Sequence, residues 1–314
     1  MPFGSGWSVD DVADRDARRA RARVALEGLA IGDGFGERFF VGDESVALEL
    51  IARRVVPDGI WRWTDDTAMA ITVTEVLVRH GRIDADALAT GFARRYVADP
   101  ARGYGSGTHQ VLGAIAQGVP WARASRLGFA DGSKGNGAAM RSAPVGAYFA
   151  GDTGRILEAA RASALPTHAH PDAIDGAVAV ALAAGYAAAA GAAGAAGAAH
   201  RRLALLAFVA EHLPRGPVAD GVRRAMELGD AMPDTAASVL GSGRRVLAED
   251  TVPFALWCAD RHLGSFEEAL WATVAGLGDR DTTCAIVGGI TAAAGSVDDL
   301  PTVWRARREA LPQV

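Results

Sequence analysis

No segment of this chain alternates apolar and polar residues over a useful length, while one stretch after another carries apolar residues three and four positions apart. A half-buried strand needs the first pattern and an amphipathic helix the second. The sequence therefore predicts an all-α protein, an orthogonal array of helices. With 314 residues, half of them hydrophobic, such an array can bury a sizeable core. No composition break, charge run or long polar linker divides the chain, so a single domain over residues 1–314 is expected, behind a loose polar lead-in of residues 1–14.

Within that array the stretch Trp63-Thr64-Asp65-Asp66-Thr67 carries the chemistry. Met69, Val73, Val76 and Leu77 follow it at i, i+4, i+7 and i+8, so Thr64 to Thr67 form the cap and first turn of a helix. Capping needs only one such residue. Two adjacent carboxylates repel by roughly 1 kcal/mol at about 4 Å in water and about 4 kcal/mol at a protein surface, so capping alone explains the pair poorly unless a cation lies between them. The chain repeats the arrangement at Asp279-Arg280-Asp281-Thr282-Thr283, ahead of a helix predicted over Cys284 to Ala294. If the two helix starts converge, their carboxylates cannot all stay ionised without cations. A hard, all-oxygen ligand set selects Mg²⁺ or Mn²⁺ over zinc. The expectation is a central binuclear cleft holding two such ions, with Thr64, Asp65, Asp66, Asp279, Asp281 and Thr282 as ligands.

Composition narrows the setting. A net charge of −5 and a pI near 5.8 argue against general affinity for nucleic acid or an anionic membrane. Phosphate would have to be recognised locally. Lys134 is the sole lysine, so the arginine richness is a compositional habit and weak evidence of phosphate binding. Cys258 and Cys284 form no CxxC pair and are expected as buried free thiols in a reducing compartment. Residues 1–8 lack the basic start and apolar run of an export signal, which predicts a cytoplasmic protein. The uncharged segment Gly176 to Ala199 is long enough to cross a bilayer, but its alanine and glycine content predicts a core helix instead.

Along the chain, a helix is predicted from Asp16, with Arg18, Arg19, Arg21 and Arg23 in solvent. Gly32-Asp33-Gly34-Phe35-Gly36-Glu37 should break it, and no strand precedes these glycines to support a dinucleotide-binding turn. Helices over Asp84 to Val97 and Thr108 to Gln117 flank Gly103-Tyr104-Gly105-Ser106-Gly107, a loop able to offer N–H groups to phosphate. The loop Asp131 to Gly137 has the wrong spacing for a Walker A motif and leads into a predicted helix, Ala138 to Phe149, interrupted by Pro144. Thr167-His168-Ala169-His170 caps the next long helix. Its two histidines, at i and i+2, cannot share one helical metal site.

The order Gly32-Asp33-Gly34-Phe35-Gly36, Thr64-Asp65-Asp66-Thr67, Gly135-Asn136-Gly137-Ala138-Ala139-Met140-Arg141, Thr167-His168 and Asp279-Arg280-Asp281-Thr282 resembles the ADP-ribosylglycohydrolase family over about residues 20–296. The resemblance implies a metal-dependent hydrolase that cleaves the N- or O-glycosidic bond at the distal ribose of an ADP-ribosylated protein or small molecule. It assigns Gly105, Gly107, Ser133, Gly135, Asn136, Met140 and His168 to the ligand, with Arg141 in support. A monomer is expected. Catalysis falls to Glu37, with Asp66. The family's acidic residue stands a few positions further on, where this chain has Phe40, so either Glu37 takes its role, or Glu44 does, or Asp65 or Asp66 activates the water; Glu37 is favoured. A second departure is Arg280, where the family commonly has threonine. Two other readings stay open: a binuclear hydrolase of another nucleotide or phosphoester, and a non-catalytic ADP-ribose-binding or structural relative.

Overall fold

The computed structural model describes residues 9–194 and 202–314. Among the described residues there are sixteen α-helices and no strand, as the periodicity predicts. In chain order they are α1 (Val9–Glu37), α2 (Glu44–Ala52), α3 (Asp65–His80), α4 (Ala85–Ala98), α5 (Ser106–Ala116), α6 (Trp121–Ala124), α7 (Ala143–Tyr148) and α8 (Thr153–Ala164). There follow α9 (Pro171–Ala192), α10 (Ala204–His212), α11 (Pro217–Glu227), α12 (Pro233–Leu240), α13 (Ala248–Arg261), α14 (Phe266–Val274), α15 (Arg280–Ala293) and α16 (Thr302–Arg307).

The centre is an antiparallel pair drawn from the two ends of the chain. A Cβ at Gly28, Gly32 or Gly36 of α1 would collide with the carbonyl oxygen of Gly288, Cys284 or Arg280 of α15 respectively. Each step is one helical turn up one helix and one turn down the other. The glycines expected to break α1 therefore do the opposite. They lie on one face of an unbroken helix and let two backbones touch, which sets the end of α1 beside the start of α15, where the second acidic motif lies. Helices α7, α9 and α13 complete the core around this pair.

Helix α9 is long and apolar enough to span a bilayer, but 72% of its most apolar stretch is buried inside the protein. Its alanines and glycines allow close packing, since a Cβ at Gly146 of α7 would strike the Ala181 carbonyl. Residues 195–199 of the uncharged segment, and residues 1–8 of the expected lead-in, lie outside the described residues.

Several boundaries differ from expectation. Helix α1 begins at Val9, not Asp16, and its arginines are not all left to solvent: Arg19 donates to the Val78 carbonyl and Arg21 to that of Ala147. The single helix expected over Ala138 to Phe149 is instead a 3₁₀ turn, Asn136–Ala138, followed by α7 with Pro144 in its first turn. There the missing N–H costs nothing. Helix α15 starts four residues before Cys284, so Asp281 and Thr282 sit within its first turn. Helices α2, α6 and α8 lie where none was predicted; α2 buries only Ala47 and α6 is four residues long, so neither writes a clear periodicity.

The tail braces the first acidic motif. Trp61 donates its N–H to the Arg307 carbonyl and accepts at its own carbonyl from Glu309, while Trp61 and Trp304 pack with Phe35, Phe39 and Trp271 in one aromatic cluster. Arg102 binds Glu309 through both terminal nitrogens at 2.7 and 2.8 Å, donates to the Trp63 carbonyl and covers the Trp63 ring at 3.7 Å. The segment entering α3 is thus held on both sides.

Candidate active site

Two acidic helix starts meet at the floor of a cleft of about 870 Å³. Thr64 caps α3, its hydroxyl accepting from the Asp66 N–H at 3.3 Å and donating to Asp66 Oδ2 at 3.0 Å. The Thr282 hydroxyl, from the first turn of α15, reaches the same Oδ2 at 3.4 Å. That contact joins the two motifs across most of the length of the chain. Asp279 stands at the N-cap position of α15, its side chain turned from the helix N–H groups and accepting from Asn136 Nδ2 at 2.7 Å, and this amide also donates to the Thr251 hydroxyl. Thus Asn136 ties the 3₁₀ turn and α13 to the second motif.

A residue missed by sequence reasoning holds the first motif in place. Asp33, fully buried in α1, accepts from the N–H groups of Thr64 and Thr67 and, at 2.6 Å, from the Thr67 hydroxyl. It caps a helix whose N-cap residue, Thr64, stands thirty-one residues later in the chain. Burial pushes its carboxyl up to about 6, opposed by the hydrogen bonds from Thr67 and Thr64. The glycine on either side drew attention; the acid between them does the positioning.

Electrostatically the floor is under stress. Burial, then the charge of Asp33, pushes Asp65 up to about 8. Burial, then Asp33 and Asp281, raises Asp66 well above the carboxylate range, and Asp281 is raised by burial and by Asp279. Asp279 is raised by burial, opposed by the Asn136 hydrogen bond. Asp66 Oδ1 and Asp281 Oδ1 are buried with no hydrogen-bond partner. Buried oxygens of this kind ordinarily have one. Among the described residues no group of three His, Cys, Asp or Glu side chains is gathered as a finished ion cage. The donors are all oxygen, two of them orphaned, in a cluster short of positive charge, and in kind they suit a hard divalent cation.

The walls come from the expected loops. Gly103, Gly105 and Gly107 line one side, where Gly103 adopts φ +91° and a Cβ on it would sit 3.6 Å from Asp65 Oδ1. Ser133, Gly135, Asn136, Met140 and His168 line the other. The His168 ring lies against Gly135 and Gly137, where a Cβ at either position would crowd it. Arg141, fully buried, donates to the Thr167 hydroxyl at 2.8 Å, and Thr167 meets His168 Nδ1 at 2.7 Å. Burial, then Arg141, pushes His168 down to about 3, so the imidazole is neutral, with Nε2 beside Gly135 in the cleft. Lys134, Phe129 and Arg245 also line the cleft. Arg245 belongs to a segment clasped to the 133–136 loop by Asn136 N–H to Val246 O and Ala248 N–H to Lys134 O.

Glu37 does not line the cleft. It is half-buried at the end of α1, beside Asp281, whose charge it influences, and burial raises its own carboxyl. Glu44 is further off, exposed at the start of α2 and paired with Arg244 at 2.8 Å. Cys258 and Cys284 are both buried free thiols.

Comparison with known proteins gives a consistent answer. The ADP-ribosylglycohydrolase family model matches residues 14–313. ADP-ribosylhydrolase ARH3 of Danio rerio is 27% identical, over 94% of this chain and 88% of that protein. The Homo sapiens ARH3 is 28% identical over 91% and 88%. A solved structure described as an ADP-ribosylglycohydrolase-related protein complex superposes with a TM-score of 0.63 at 26% identity, over 92% of each chain.

Proposed function

Because the chain belongs to the ADP-ribosylglycohydrolase family, and is thereby a hydrolase of glycosidic bonds, we propose that it releases ADP-ribose from an ADP-ribosylated protein or small molecule by cleaving the N- or O-glycosidic bond at the distal ribose. The observation that carries this reading is the contact between Thr282 and Asp66, which brings both acidic helix starts to the floor of one nucleotide-sized cleft.

Cleavage at an anomeric carbon passes through an oxocarbenium-like transition state, and needs a positioned water and a group to take its proton. Glu37 is proposed for the proton, acting through a water, since burial holds its carboxyl nearer neutrality than an exposed glutamate. Asp66, at the centre of the floor, holds the reacting sugar. His168 presents the Nε2 of a neutral imidazole to the ligand, and the 103–107 and 133–136 loops offer backbone N–H groups to the nucleotide. Among the described residues, Lys134 and Arg245 are the only lysine and arginine that line the cleft. Thr64, Asp65, Asp66, Asp279, Asp281 and Thr282 would hold two Mg²⁺ or Mn²⁺ ions, which supply positive charge to grip ribose hydroxyls. We propose further that the protein works as a monomer in the cytosol, in keeping with its two free thiols.

The test is a panel of defined ADP-ribosyl conjugates, linked through arginine, serine, an acetyl ester or a nucleic-acid end. Free ADP-ribose should appear from at least one of them, and only with divalent cation. Release of AMP or phosphate would instead favour a phosphoester hydrolase, and no turnover with tight ADP-ribose binding would favour a binding protein.

A further inference from the structure

Arg280 stands between two aspartates of the second motif, yet its side chain turns away from the cleft. It is 6% exposed. Its Nη1 donates to the Phe39 carbonyl at 2.5 Å, its guanidinium lies 4.5 Å from the centre of the Phe40 ring, and its Nη2 is 3.7 Å from the Glu44 carboxylate. Glu44 in turn pairs with Arg244, next to the cleft-lining Arg245. One guanidinium therefore links α15, the turn after α1, the start of α2 and a wall of the cleft.

The turn is where such a link matters. Helix α1 ends through short i to i+3 bonds, from Arg38, Phe39 and Phe40 back to Phe35, Gly36 and Glu37. Those bonds satisfy the Phe35, Gly36 and Glu37 carbonyls, and Arg280 donates to the next part of the turn, the Phe39 carbonyl two residues past the helix end. Just inside the turn, Gly36 lets the Arg280 backbone lie directly on α1. Glu37 is the next residue. Withdrawing a guanidinium from water costs several kcal/mol unless its new partners offset it, so this contact is not an incidental surface pairing.

We propose that Arg280 is the positioning residue for Glu37: it clamps the turn over residues 38–43 to α15 and so fixes that carboxylate beside the acidic floor. The proposal rests on Glu37 handling the proton.

Steady-state hydrolysis by Arg280→Lys, Arg280→Thr and Phe40→Leu, each alone and combined with Glu37→Gln, tests it. A misplacement of about 1 Å can cost on the order of 100-fold in rate. Accordingly kcat should fall roughly 10–100-fold in Arg280→Thr, with KM and ADP-ribose affinity kept, because neither residue lines the cleft. Arg280→Lys should recover part of the loss. In the Glu37→Gln background none of the three should slow the enzyme further. Equal losses with and without Glu37 would overturn the positioning role while leaving the proposed activity intact. A Glu37→Gln variant at full rate would overturn the assignment of the acid itself. Phe40, 47% exposed, can be changed with little risk to folding and gives the same reading if Arg280→Thr does not fold.

Discussion

Asp33 illustrates how much one buried carboxylate can organise. Its removal would leave two N–H groups and a hydroxyl without an acceptor at the start of α3, each costing about 1–3 kcal/mol when buried. Asp33→Ala should therefore lose at least about 3 kcal/mol in chemical denaturation; a loss below about 1 kcal/mol would mean that the cap is not needed. The neighbouring acids make a second expectation. Carboxyls raised in the folded state bind protons more readily than in the unfolded chain, so without cation the protein should lose stability as pH rises from near 4 through the Asp65 value of about 8. Added Mg²⁺ should then raise Tm more at pH 8 than at pH 5. Thermal melts with Mg²⁺ or chelator at both pH values check this, and an equal rise at both would count against it. The acidic pairs were legible from sequence because adjacent carboxylates are costly wherever they stand. Asp33 was not, since its partners lie on another helix and no local pattern records them.

Helices α1 and α15 carry the same lesson at the next scale. Glycine at 28, 32 and 36 has the spacing of one helical face, but three glycines that break a helix and three that pack it look alike until the partner is known. Here the partner lies some 250 residues away, with the Cys284 carbonyl over Gly32. Gly32→Ala tests the seam. Alanine gains up to about 1 kcal/mol in helix propensity, but its methyl would meet a backbone carbonyl that no side-chain motion can relieve, and overpacking of this kind costs about 1–3 kcal/mol. A net loss is expected. Gly113→Ala, in α5 with open space around it, should instead be neutral or stabilising by up to about 1 kcal/mol. If both variants behave alike in urea denaturation, the close approach of α1 and α15 contributes little. The break expected at Gly32 does not occur, since glycine there is used for contact, and the one expected at Pro144 falls just ahead of it, the proline standing in the first turn of α7.

Across the whole molecule, the parts that build the site come from far apart, and the C-terminal tail serves it without touching it. Trp304 completes the aromatic cluster and Glu309 holds Arg102, whose carbonyl accepts from the Asp65 N–H at 2.7 Å. No local pattern in the tail records this role, because bracing depends on what the tail lies against. Glu309→Gln should weaken the Arg102 pair and lower cation affinity severalfold with little change in helix content by circular dichroism; unchanged affinity would limit the tail to a structural part. The central claim is that the two acidic helix starts act as one site. Calorimetric titration of Mn²⁺ into the wild type, Asp66→Asn, Asp281→Asn and the double variant tests it most directly. Each single change should weaken binding by more than the ~10–100-fold typical of outer-shell partners, and the double variant should lose little more than either alone. Independent, additive losses, or full affinity in either single variant, would mean that the motifs do not share their ions.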